Sequence, residues 1–393
     1  MDITIRAIDL GFGNTKYVSA AREGQSECAH FRSLAFFSAS EKSHDGLGGR
    51  RRTVCVPVDK LFYEVGPDVE LAADRFRSRT LHDDYIHTSE YRALTAGALA
   101  YMKQETIDLL VVGLPVAQYL DKRAALEKLM TGRFAIGRGR HVTVLKTLVV
   151  AQPQGALFHF AADASRLRDL KSQRSLIIDV GTRTFDWLVT QGIRVVPRMS
   201  HSVNRGVFDV VRLIAGEISR EIGEDYQNLE AIDEALSGRR SLRLYQKDHD
   251  LKRYEPLVQK IADEAVSSML QQIDHLDDFD SIVLVGGGAA LFRKAVKRRL
   301  PRHVIQDVDE PMYANVRGYQ LIGEEWARAN PQALADARQR HAQHLGKRPS
   351  TQVAAPAATV APGEPATNVP SDLSSAPASS AATGANSACA PGQ

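Results

Sequence analysis

The 393-residue chain is long enough for two domains and a tail, and its 44% apolar and 25% charged residues are those of an ordinary globular protein. With 50 basic against 47 acidic residues the formal charge is +3, so no global field marks a nucleic-acid binder. Three scattered cysteines form no disulfide framework or zinc site, the 12 histidines show no paired ligand spacing, and no apolar run approaches the ~20 residues of a membrane span.

The first residues enter a strand directly, with no basic and apolar leader, so a reduced cytoplasmic setting is expected. Residues 1–20 read as a hairpin. The strand Ile5-Arg6-Ala7-Ile8 ends at Asp9, Gly11 and Gly13 bracket a turn, Asn14, Thr15 and Lys16 follow, and Tyr17-Val18 resume the apolar pattern. Residues 24–66 read as further strands. Residues 89–104 have helical spacing (Tyr91, Leu94, Ala98, Tyr101) with Ser89 as N-cap. A strand at 109–112, a helix at 119–130 and one strand over 142–150 follow. Ala151-Gln152-Pro153-Gln154-Gly155-Ala156 then leads into a helix over 156–170. Gln154 at that helix start is placed either to cap it or to orient a water.

Residues 176–189, LIIDVGTRTFDWLV, repeat the plan of the first hairpin, and Ile178-Asp179-Val180-Gly181 matches Ile8-Asp9-Leu10-Gly11 position for position. Each tip carries a carboxylate, hydroxyls and backbone N–H groups around a glycine that lets a ligand approach the chain. In the second tip these are Asp179, Gly181, Thr182 and Thr184. Hydroxyls and N–H groups suit phosphate oxygens, and a carboxylate suits a divalent cation or its water. Helices follow within 200–220, near 229–236 and over 256–276. A third motif comes at 281–290: the strand Ser281–Val285 runs into Gly286-Gly287-Gly288 and a helix over 291–300. No Walker A sequence and no GxGxxG order occurs. A last helix is expected over 312–329. From residue 347 the Ala, Pro, Ser, Thr and Gly composition predicts a disordered tail. The basic clusters at 49–52 and 297–302 read as solvated faces.

The order Asp9/Lys16 hairpin, Gln154 helix start, Asp179 hairpin and Gly286 turn resembles the actin-like ATPase superfamily, over residues 1 to about 330. Within it the Asp9–Lys16 loop, Pro153-Gln154-Gly155-Ala156 and Ala314–Tyr319 look most like the ParM/StbA group of plasmid-segregation actins, in particular the PRTRC system protein D type. The resemblance implies an α/β, ribonuclease H-like fold with nucleotide in an interdomain cleft. Domain I would hold 1–173 completed by helix 312–330, domain II 174–305, and the tail 347–393. It implies that Gly11, Gly13, Asn14, Thr15, Lys16, Gly181, Thr182, Thr184, Gly286, Gly287 and Gly288 bind ATP or GTP, and that Asp9 and Asp179 hold Mg²⁺. Gln154, where some ParM proteins carry Glu, and Asp179 would serve a slow hydrolysis. Self-association into filaments and a DNA-bound adaptor protein are the implied partners, with no direct DNA binding and no membrane. A sugar-type kinase or phosphatase of the same fold, or a non-polymerising nucleotide-binding regulator, are the alternatives.

Overall fold

Two hairpins of one plan each open a sheet. The computed structural model describes residues 3–22, 25–41, 45–46, 49–72, 84–162 and 172–346; the expected tail and the segment 163–171 lie outside them. The first half contains β1 (Ile5–Leu10), β2 (Asn14–Arg22), β3 (Gln25–Arg32), α1 (Ser89–Met102), β4 (Leu109–Leu114), α2 (Val116–Leu129), β5 (Thr147–Ala151) and α3 (Gln152–Ala161). The second contains β6 (Arg174–Val180), β7 (Phe185–Gln191), α4 (Val207–Ile222), α5 (Glu255–Leu270), β8 (Ser281–Val285), α6 (Ala289–Arg299) and β9 (Ile305–Gln306), followed by α7 (Ala314–Ala329) and α8 (Pro331–Gly346).

The first sheet has the order β5-β4-β1-β2-β3, with β1, β4 and β5 parallel and the hairpin antiparallel. The second runs from Arg194–Val195 through β7-β6-β8 to β9, with the same sense at each pairing. So β6 stands for β1, β7 for β2, β8 for β4 and β9 for β5. Strands such as β4 and β8 are buried along their whole length because helices cover both faces, which is why they read as unbroken apolar runs. On α4 the buried Val207, Val210, Val211, Ile214 and Ile218 form one stripe against the second sheet's core, where Trp187 and Phe185 are fully enclosed.

Two helices change sides. α3 leaves the first sheet yet packs Ala156, Leu157 and Phe160 against Ile177, Leu188 and Val283 of the second. α7 comes after the second sheet and packs Val316, Tyr319 and Ala327 against Ile5, Leu109 and Val111 of the first. They cross where both carry glycine. A Cβ at Gly318 would run into the Gly155 carbonyl, and one at Gly155 into the Asn315 carbonyl and the Tyr319 ring. Arg338 on α8 then grips Asp108 with two bonds of 2.6 and 2.8 Å, and Asp108 also accepts from the Thr4 N–H at 2.8 Å.

Three expectations shift. The single strand over 142–150 is two: His141–Val144 joins a small sheet with Gly132–Ala135 and Thr106–Ile107, and β5 joins the main sheet. α3 starts at Gln152, four residues before the expected 156, because Pro153 in the first turn lacks only an N–H that the turn does not use. α1 is capped by Thr88, whose hydroxyl accepts from the Tyr91 N–H, and not by Ser89.

Candidate functional site

The register of each hairpin fixes what its tip presents. Asp9 pairs across β1 and β2 with Lys16, and the ammonium donates to the carboxylate at 2.7 Å. The Asp9 side chain is buried, while that of Lys16 is partly exposed. The other Asp9 oxygen accepts from the Gln152 amide at 3.0 Å. The Gly11 N–H closes the turn on the Asn14 carbonyl at 3.2 Å, and the Gly181 N–H closes its twin on Thr184 at 2.9 Å. The loops also touch: a Cβ on Gly13 would collide with the Thr182 side chain.

In the second hairpin Asp179 pairs with Asp186, an acid where the first hairpin has Lys16. Asp186 is turned away into a closed set of donors. It accepts from the Val116 N–H at the start of α2 at 3.1 Å, from the Ser202 hydroxyl, and from Thr184. Ser202 in turn accepts from the Ala117 N–H at 3.1 Å, so the second sheet caps a helix of the first half. Asp179 is left toward the cleft, where it accepts from the Asn315 amide at 2.6 Å. Burial and then the Asp186 carboxylate push its carboxyl up to about 7; Asp9 adds to this, while Asn315 and Lys16 oppose it. Burial raises Asp186 too, against the bonds from Ser202, Thr184 and Val116.

The third loop closes the floor. Gly286 has φ +91°, and a Cβ there would strike Asp179 and the Val180 carbonyl, so only glycine fits. The resulting cleft measures about 850 Å³, counting the solvent at its mouth. It is lined by Asp9, Gly11, Gly13, Asn14, Lys16, Asp179, Gly181, Thr182, Thr184, Gly286 and Gly287 among the expected residues.

Three expected residues stand elsewhere. The Thr15 hydroxyl is buried against Ser33 at 2.9 Å and holds the loop from behind. Gly288 donates its N–H to the Val180 carbonyl at 2.9 Å and leads α6. Gln154 caps α3: its side-chain oxygen accepts from the Ala151 N–H at 2.8 Å. Of the two glutamines at the start of α3 the one that faces the cleft is Gln152, two residues earlier, and Gln118 of α2 lines the cleft as well. Phe12, Tyr85, Arg183, Met312 and Asn315 also line it. Asn315 and Arg183 lie inside motifs read from the sequence, but nothing local marked them as cleft residues.

Among the described residues no cluster of three His, Cys, Asp or Glu side chains could cage a metal ion. The donor set nevertheless fits a hydrated Mg²⁺. Asp9 and Asp179 face one space, and the buried side-chain oxygens of Asn14 and Asn315 there have no partner among the described residues, as water-bonding acceptors would.

Known proteins share this fold. The family described as "Actin like proteins N terminal domain" matches residues 7–155, and "Archaeal actin homologue MreB-like, C-terminal" matches 177–298. No curated protein sequence matches the chain. Ta0583, an archaeal actin homologue, superposes with a TM-score of 0.68 at 19% identity, over 82% of this chain and 100% of that one. Its complex with ADP gives 0.64 at 19%, over 82% and 100%. A 15-stranded ParM filament from Clostridium botulinum gives 0.66 at 20%, over 83% and 100%. Among the described residues no helix is long and apolar enough to cross a membrane. With the two family matches spanning more than half of its length and this two-domain fold, the chain belongs to the actin-like ATPase superfamily.

Proposed function

We propose that the chain is a cytoplasmic, Mg²⁺-dependent nucleoside triphosphatase that hydrolyses ATP slowly, with GTP as the alternative base. The observation that carries this reading is the pair of matched hairpins facing one cleft, one presenting Lys16 and the other Asp179. Charge-assisted bonds from Lys16 and from the loop N–H groups of Gly13, Asn14 and Thr182 would hold the phosphates, with Gly11 and Gly181 closing the turns that present them. Asp9 and Asp179 would hold Mg²⁺ through its waters, and the ion would neutralise phosphate charge. Gln152 takes the water-orienting role that the resemblance implies for Gln154, since its amide already reaches Asp9. Asp179, with a carboxyl near neutrality, is suited to accept the water's proton. The ADP complex of Ta0583 supports the nucleotide assignment.

Closure of the halves, 1–173 with 312–330 against 174–305, would couple nucleotide state to shape about the Gly155–Gly318 crossing. The Clostridium botulinum ParM filament supports self-association into filaments. Plasmid or DNA segregation of the PRTRC kind, through a DNA-bound adaptor protein, is the cellular role that fits such a filament. The test is phosphate release from Mg²⁺-ATP by the full chain and by Asp179→Ala. The reading expects slow release from the wild type and none from a folded variant. Wild-type turnover in the variant, or no release from ATP or GTP by the wild type, overturns it.

A further inference from the structure

The α7 helix serves one of the two cleft carboxylates directly, through the Asn315 amide on Asp179 at 2.6 Å. One turn on, Tyr319 lies on the same face of the helix. Its side chain is fully enclosed, and its hydroxyl has no hydrogen-bond partner among the described residues. The ring passes through room that two glycines leave. A Cβ at Gly155 would meet the ring at 2.6 Å, and one at Gly113 would strike the hydroxyl and crowd the Gln152 side chain. Gly113 and Gln152 line the cleft, so the hydroxyl stands one layer beneath its floor. Gly113 follows Val112, the register partner of Ile8, which places the hydroxyl against the strand next to that of Asp9.

A hydroxyl enclosed without a bond is costly, and a phenylalanine would fill the same slot without that cost. Burial, and then the charges of Asp9, Asp179 and Asp186, hold the phenol's pKa well above its ordinary value, so the group stays a neutral proton donor. Asp9 can take one more donor. A carboxylate carries about four lone-pair sites, and the described residues fill two of them, Lys16 at 2.7 Å and the Gln152 amide at 3.0 Å. A second acceptor is also open: the Asn315 side-chain oxygen, one turn from Tyr319, is buried without a partner among the described residues. One donor and two acceptors, none bonded to another, are the partners that an enclosed water needs.

We propose that Tyr319 is a positioning residue of the metal site: its hydroxyl donates to one enclosed water, and that water donates to Asp9 and to the Asn315 oxygen. This rests on the Mg²⁺-nucleotide reading of the cleft and names the group that steadies its carboxylates from behind. Asp9 is then held from three sides, by Lys16, Gln152 and the water, with its remaining lone pair left for the ion's hydration shell. Asn315, fixed at its oxygen by the same water, keeps its amide on Asp179. Outer partners of this kind orient the groups that receive a metal, and losing one weakens the metal by about tenfold or more.

The experiment is titration calorimetry of the full chain with ADP, in Mg²⁺ and in EDTA. Tyr319→Phe keeps the ring in its slot and removes only the hydroxyl, and near-ultraviolet circular dichroism matching the wild type certifies its fold. The variant should bind ADP about tenfold more weakly in Mg²⁺ and within about twofold of the wild type in EDTA. The Mg²⁺ concentration that gives half of the tightening should rise by a similar factor. Equal losses with and without Mg²⁺ mark a merely structural tyrosine and overturn the proposal, as does no loss in either. A wild type that does not bind ADP, or binds it no better in Mg²⁺ than in EDTA, overturns the reading of the cleft beneath it.

Discussion

Lys16 and Asp186 hold the same register position in two hairpins of one plan, Lys16 opposite Asp9 and Asp186 opposite Asp179. Under the proposed function, the exchange of a cation for an acid suits the hairpins to a metal–nucleotide pair. The first tip would offer a positive charge to phosphate. The second has its extra acid bonded off into the start of α2, which leaves Asp179 strongly disposed to gain a proton or a cation.

That disposition has a sign that can be measured. The Asp179 carboxyl rises from an ordinary 3.8 to about 7 through burial and the Asp186 charge, so the folded chain holds this proton more tightly than the unfolded one. Its stabilisation is complete below the unfolded value and is lost as pH rises through about 7. Thermal melting of the ligand-free protein should therefore fall between acidic and alkaline buffer by more in the wild type than in Asp179→Asn. Turnover should run the other way, rising through neutrality as the carboxylate forms.

The two glutamines of α3 separate by assay. Gln152→Ala removes the amide on Asp9 and should lower kcat about 100-fold, the scale of a lost positioning group in proton transfer. Gln154→Ala removes a helix cap, at a cost of about 1 kcal/mol in urea unfolding, and leaves phosphate release unchanged.

Lys16 has a structural and a functional share. Lys16→Met strands the buried Asp9 carboxylate and should cost roughly 3 kcal/mol of stability, with loss of Mg²⁺-ATP binding. Adding Asp9→Asn should restore most of the stability and none of the binding, as read by urea unfolding and calorimetry.

The helix crossing can be probed with an internal control. Gly318→Ala drives a methyl into the Gly155 carbonyl and should destabilise by roughly 1–3 kcal/mol. Gly216, inside α4 with nothing within 4 Å of its missing Cβ, should instead gain about 0.5–1 kcal/mol on change to Ala.

Much of this was legible in the chain because it is local. A strand, an acid and a glycine turn lie within a dozen residues, and their repetition at 5–18 and 176–189 announces two equivalent sheets. What was not legible is set by distant partners. Asp186, between Phe185 and Trp187, reads as a strand residue, and its donors come from Val116 and Ser202. The choice between Gln152 and Gln154 turns on a helix starting before its proline. The break at Leu145-Lys146 is invisible in apolar pattern because apolar residues lie on both sides of it and Leu145 continues them, and only the strands' sheets differ. The contacts of Phe12, which stacks on Tyr85 and carries Arg183 over its ring, draw on three separate segments.

The most direct test of the central claim is right-angle light scattering recorded together with phosphate release after Mg²⁺-ATP is added to the purified full chain. Scattering that rises with nucleotide and decays as phosphate appears is the predicted result, that of a filament timed by hydrolysis in the Asp9–Asp179 cleft. Phosphate release with flat scattering across a wide range of protein concentration would contradict the filament. No release at all would contradict the enzyme.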